Sequence, residues 1–101
     1  MPDEIPVACR LSSQELRSRE ATLLAQFKTA LITIQELADG YLFRIRDDKR
    51  WIAIAAELIA AERECCPFLR FELAVEPEMG PVTLRMTGPS GTKEFLKSIL
   101  M

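Results

Sequence analysis

The chain has 101 residues, of which 49% are hydrophobic and 28% are charged, and its formal net charge is −2. These values are typical of a single globular domain, and we expect one domain over residues 1–101. The charges form no basic block, so the chain does not have the phosphate-neutralising surface that strong non-specific nucleic-acid binding requires.

Neither the N-terminus nor the apolar runs predict a membrane protein. The first ten residues, MPDEIPVACR, are acidic and contain no apolar stretch typical of a secretory signal. The longest apolar run, Trp51 to Ala61, is broken by Glu57 and is too short to span a bilayer. We therefore expect no membrane partner and a cytoplasmic location, where thiols stay reduced. Three cysteines do not predict a disulfide framework.

The N-terminal part of the chain predicts a strand followed by a helix. Apolar residues alternate along residues 5–11, with Cys9 on the apolar face of this first strand. Ser12 and Glu15 then have the spacing of a capping box, which indicates where a helix begins. Leucines and a phenylalanine recur at helical spacing until about Ala30, where we expect this helix to end.

Two predicted hairpins flank a second helix. Residues 32–45 alternate on both sides of an Asp39–Gly40 turn, which indicates the first hairpin. Asp47 or Asp48 can cap a helix from about Lys49 to Cys66, which Pro67 ends. The second hairpin turns at PEMGP, and a last short helix follows, with Ser90 as its expected cap.

The resulting order is β-α-β-β-α-β-β-α, an α+β fold. Its first six elements match the ferredoxin-like β-α-β-β-α-β order, extended by a C-terminal strand and helix. We expect a mainly antiparallel sheet with helices on one face and with the first strand placed centrally beside the fourth. In that arrangement Cys9, Cys65 and Cys66 approach the same edge of the sheet.

The segment ERECCPF contains the candidate metal site. Glu62 precedes Cys65 by three residues and Cys66 by four, so all three share one face of the helix. Because that face continues the apolar stripe, we expect Glu62 to be buried and paired with an arginine or a hydrogen-bond donor, and Glu64 to be solvated. The predicted ligands are Cys9, Cys65, Cys66 and Glu62. They suit zinc, Cu(I) or another thiophilic metal or metalloid ion, and without histidine a mixed Cys/His zinc site is excluded.

Other interpretations stay open from the sequence. The cysteines could carry out redox chemistry, or they could be small core residues of a non-catalytic homodimeric ligand-binding or protein-interaction module. Gly40, Tyr41 and Phe43 loosely fit an RNA-binding strand, but nucleic acid is not the expected partner. GPSGTK does not have the order of a phosphate loop, and no dinucleotide fingerprint appears, so neither an organic cofactor nor a catalytic residue is predicted.

The segments ACRL (residues 8–11) and ERECCPFLRFEL (residues 62–73) carry a resemblance to a known group of sequences. Together with the DGYLFR hairpin and the TGPSGTKEFL tail, they resemble a family of small uncharacterised bacterial proteins with the pattern ACxL, ExECCPF and TGPxGxKEFL. The resemblance covers nearly the whole chain. It implies a compact bacterial α+β protein and no particular activity, and it places Cys9, Glu62, Cys65 and Cys66 in matching segments.

Overall fold

A computed structural model describes residues 13–101 and shows an α+β fold of three helices and a four-stranded sheet. The predicted strand at residues 5–11, its Cys9 and the predicted cap Ser12 lie outside the described residues. The elements, in chain order, are α1 (Gln14–Ala30), β1 (Leu31–Glu36), β2 (Gly40–Ile45), α2 (Lys49–Cys65), β3 (Arg70–Val75), β4 (Val82–Thr87) and α3 (Thr92–Leu100).

Each of the three described helices begins after a short polar residue or a glycine at its N-cap. Ser13, and not the predicted Ser12, caps α1 by accepting a hydrogen bond from the backbone of Leu16. Asp48, one of the two predicted candidates, caps α2. The predicted cap of α3 is wrong: the N-cap is Gly91, not Ser90, and no side chain caps this helix. Gly91 has φ 98°, a left-handed conformation that glycine adopts without the steric cost of a Cβ atom.

The sheet has the strand order β1-β2-β4-β3, and all neighbours are antiparallel. Both predicted hairpins are therefore confirmed, and so is the antiparallel α+β class. The predicted strand at residues 5–11 lies outside the described residues. The ferredoxin-like order would place it between β2 and β3, but there the structure has β4, which pairs with both. Alternation identifies strands, but it does not determine which strands become neighbours.

The core lies between the three helices and one face of the sheet. Phe43 is fully buried and packs edge-to-face on Phe27 of α1, with ring centroids 5.9 Å apart. Leu58 of α2 and Leu96 of α3 join the same cluster. The alternate strand positions form an opposite, polar face, on which Arg85 contacts Glu72 at 3.7 Å. Burying one face in this way explains the period-two pattern of β2 and β4.

The aromatic residues of β2 belong to this core. Tyr41 and Phe43 are both buried, and their side chains lie on the helix-covered face rather than on the polar face. A base cannot stack on side chains that are already covered by helices. The structure therefore removes the observation on which the RNA-binding interpretation depended. Within residues 13–101, no helix is both long and apolar enough to cross a membrane.

Candidate metal centre

The C-terminal end of α2 places two cysteines and a glutamate in the interior. Glu62 and Cys65 occupy the buried stripe of the helix, while Glu64 is exposed, as predicted. Cys66 follows as the C-cap, with φ −122° and ψ 75°, which is not a helical conformation. Pro67 favours this departure, because its ring disfavours helical geometry in the preceding residue.

The break in the helix allows both sulfurs to lie in one place. Successive side chains of a regular helix diverge by about 100°, so Cys65 and Cys66 could not share a site if the helix continued. With Cys66 outside the helix, both side chains are fully buried and lie beside Glu62. Phe68 packs against this cysteine pair and stacks edge-to-face on Phe95 of α3. The pair is thereby closed off from solvent on that side.

A second carboxylate enters the cluster from α1. Glu20, Glu62, Cys65 and Cys66 each offer one ligand atom, and these four atoms lie within 4.8 Å of one another. We call this group the thiol–carboxylate cluster. Glu62 is 1% exposed, and Glu20 is half-buried. Helix α1 packs directly along α2, which explains how residues 42 or more positions apart in sequence meet here.

Glu20 was not among the predicted site residues, although the sequence contains a signal for it. It lies four residues after Leu16 and three before Leu23, on the face of α1 whose later positions Leu23 and Phe27 are buried. A carboxylate at such a position is unusual, because charged side chains are rarely found on the buried face of a helix. The same argument identified Glu62 as a candidate. What the sequence did not show is that the two carboxylates approach each other.

The Glu62 carboxylate has only part of its hydrogen-bonding capacity filled. Its Oε2 accepts a hydrogen bond from the Cys66 thiol, with a Sγ–Oε2 distance of 3.1 Å. Its Oε1 is buried and has no hydrogen-bond donor among residues 13–101. The sequence predicted either an arginine or a hydrogen-bond donor next to Glu62, and the structure shows a donor, the Cys66 thiol.

Burial and the neighbouring acid raise the pKa of Glu62 to about 8. Removal from water is the largest cause, followed by hydrogen bonding with Glu20, while the Cys66 thiol acts in the opposite direction. A hydrogen bond between two carboxyl groups exists only while one of them holds a proton. When both groups are ionised, each is purely an acceptor, and Oε1 of Glu62 is left without a donor.

The two cysteines differ in their chemical state. Cys66 is a free thiol, and burial, followed by the charge of Glu62, raises its pKa. Cys65 is disulfide-bonded. The predicted fourth ligand, Cys9, lies outside the described residues, so its place near the cluster stays a prediction. The structure brings together Glu62, Cys65 and Cys66 from the predicted set and adds Glu20.

No protein-family model, curated protein or solved structure shows significant similarity to this chain. The function is therefore inferred from the chemistry of the cluster itself.

Proposed function

We propose that the protein binds a soft or borderline metal ion at the thiol–carboxylate cluster. The observation that supports this most directly is that Oε1 of Glu62, a carboxylate oxygen buried beside two sulfurs, has no described donor unless Glu62 or Glu20 holds a proton. A buried carboxylate without a full set of hydrogen bonds is costly, by roughly 1–3 kcal/mol or more. A cation coordinated by this oxygen would compensate for that cost.

The alternative of a purely structural cluster accounts less well for the carboxylates. A structural ion pair would need a cation next to Glu62, but the salt bridges found among residues 13–101 involve neither Glu62 nor Glu20. Two acids that approach each other in the interior repel when ionised and must hold a proton to coexist. A bound metal ion would remove this repulsion by supplying positive charge.

The donor types favour a thiophilic ion. Calcium and magnesium take oxygen ligands, whereas zinc and Cu(I) accept thiolates. Zinc also accepts carboxylate oxygens and takes four ligands in a tetrahedral arrangement. Two thiolates on one zinc ion can be at most about 4.6 Å apart, since each Zn–S bond is about 2.3 Å. The cluster, with its atoms within 4.8 Å, needs only small movements to reach that geometry.

We propose a cytosolic protein without a catalytic step, in which the Cys65 disulfide is reduced when the metal ion binds. Metal binding by cysteine requires thiolates, and cytosolic thiols are kept reduced. If Cys9 lies close by, as the sequence predicts, it would add a further thiolate to the same site.

Isothermal titration of the reduced, full-length protein with zinc chloride tests the proposal. We expect one ion per chain, with binding weakened about tenfold or more in Glu62→Gln and in Cys66→Ser, as expected when groups at a metal centre are lost. Glu64→Gln is the matched control, because Glu64 lies on the same helix but is exposed, and it should bind like the wild type. Wild-type protein that takes up no zinc, and no cadmium in a parallel titration, would contradict the proposal.

The edge strand β1 favours a second, independent property, homodimerisation. Ile32 and Ile34 of β1 are large apolar side chains that are 53% and 41% exposed. In the described sheet β1 pairs only with β2, so its other edge can accept a strand. We propose that two copies pair there. Sedimentation should show a dimer that Ile34→Lys converts to a monomer, and a monomeric wild type at high concentration would contradict this.

A further inference from the structure

The two cysteines of the cluster are in different covalent states although they are adjacent in sequence. Cys65 is disulfide-bonded, and Cys66 is a free thiol that donates its hydrogen bond to Glu62. Both are fully buried, and both sulfurs belong to the same group of potential ligand atoms. One of the two sulfurs is therefore engaged in a covalent bond at the position where the proposed metal ion would need it.

The disulfide changes what the cluster can offer a cation. The thiolate is the form of cysteine that binds metals, and a disulfide sulfur has no proton to lose and carries no charge. With the disulfide intact, the described cluster offers two carboxylates and one thiol. With the disulfide reduced, it offers two carboxylates and two thiols, which is a full set for a tetrahedral ion.

We infer that the disulfide at Cys65 controls metal binding, so that the site binds a thiophilic ion tightly only after reduction. This inference rests on the proposed function. A dithiol reductant would supply two electrons and two protons and would itself become a disulfide. The S–S bond at Cys65 breaks, and Cys65 and its partner cysteine become thiols. The metal ion then displaces the Cys65 proton to solvent.

The neighbouring residues suit such a control. Cys66 is directed at Glu62 by a 3.1 Å hydrogen bond, and this contact does not involve the Cys65 sulfur. The Cys66 and carboxylate ligands are therefore present in both states, and within the described cluster only the Cys65 sulfur changes. Because Phe68 packs against both cysteines, we expect access to the disulfide to require local opening of the segment after α2.

The test compares the full-length protein in two covalent states. One sample is oxidised with glutathione disulfide, and the other is reduced with a phosphine that is then removed under anaerobic conditions. Mass spectrometry of alkylated peptides verifies the state of Cys65 and identifies its partner. Each sample is titrated with zinc chloride by calorimetry. We expect the reduced protein to bind one ion and the oxidised protein to bind at least about tenfold more weakly.

The outcomes separate this inference from the proposed function. Equal zinc affinity in both states would overturn the redox control and leave the metal site standing. No binding in either state would overturn both. Failure of oxidant to form the disulfide at Cys65 would overturn the control alone. Cys65→Ser should bind weakly whatever the redox treatment, whereas Cys66→Ser should keep a difference between the two states. A redox-dependent affinity that persists in Cys65→Ser would also overturn the assignment to Cys65.

Discussion

The Cys66 thiol donates a hydrogen bond to the carboxylate of Glu62, four residues earlier, across 3.1 Å of protein interior. The spacing of four residues already places the two side chains on one face of α2, and Cys66 is the C-cap at which the helix ends. This contact places an acid and a thiol in a space shared with a second acid and a second sulfur.

The raised pKa of Glu62 predicts an unusual pH dependence of stability in metal-free protein. The carboxyl binds its proton more tightly in the folded protein, with a pKa of about 8 against the ordinary glutamate value of 4.5. The stabilisation from this proton is complete below the lower value and is lost as pH rises toward the upper one. The free energy of unfolding should therefore fall between pH 4.5 and pH 8.

Glu62→Gln should remove that loss, because an amide does not ionise. We expect urea unfolding to show that the free energy of unfolding of the variant, relative to the wild type, is higher at pH 8.5 than at pH 5. The difference should be on the order of 1–4 kcal/mol. Glu64→Gln, at an exposed position, serves as the control and should follow the wild type at both pH values. Parallel pH profiles for the wild type and Glu62→Gln would show that Glu62 is ionised in the folded protein.

Burial and the carboxylates predict an unreactive thiol at Cys66. The side chain is fully buried, and its pKa is raised, so little thiolate is available to an alkylating reagent. Iodoacetamide should modify Cys66 in the native, metal-free protein at least about a hundredfold more slowly than in urea, since reaction then requires opening of the fold. Peptide mass spectrometry over time measures this. Rapid labelling in the native state would mean that the segment after α2 is open.

The contact between α1 and the sheet predicts a large effect of one core substitution. Phe27 is fully buried and packs against Phe43, so Phe27→Ala should lower the free energy of unfolding by about 3–5 kcal/mol. Leu16→Ala, on the same helix but 43% exposed, should cost much less. Denaturant titration of both variants makes the comparison. Similar losses would show that α1 is not packed as described.

Gly40 predicts a second stability effect, from close approach of two strands. A Cβ atom at this position would lie 1.9 Å from the carbonyl oxygen of Met86, which no side chain can tolerate without separation of β2 from β4. Gly40→Ala should therefore lower the free energy of unfolding more than Gly91→Ala does. At Gly91 the alanine would only have to adopt a left-handed conformation, which costs about 1–2 kcal/mol. Thermal unfolding of both variants tests the order. A reversed order would contradict the β2–β4 register.

The sequence predicted the local elements well because each depends on neighbouring residues. Asp48 begins α2, Pro67 ends it, and the alternation along β2 and β4 matches the buried face. The burial of Glu62 was also predictable, since its spacing from Leu58 places it on the apolar stripe. These features follow from helix and strand periodicity within one segment.

What the sequence did not predict depends on contacts between distant segments. Alternation did not show that β4 would lie between β2 and β3, because strand order is decided by packing and by connections. Glu20 was missed for the same reason: its position on α1 is visible in the sequence, but its approach to Glu62 requires α1 and α2 to pack together. The disulfide at Cys65 also ran against the expectation of reduced thiols.

X-ray absorption at the zinc edge of the reduced, zinc-loaded protein tests the central claim most directly. The account predicts a four-coordinate ion with mixed ligands, with sulfur at about 2.3 Å and oxygen at about 2.0–2.2 Å. Cys66→Ser should reduce the sulfur contribution, and Glu62→Gln should alter the oxygen shell. A first shell of oxygen or nitrogen alone in the wild-type protein would place the metal elsewhere and contradict the assignment to the thiol–carboxylate cluster.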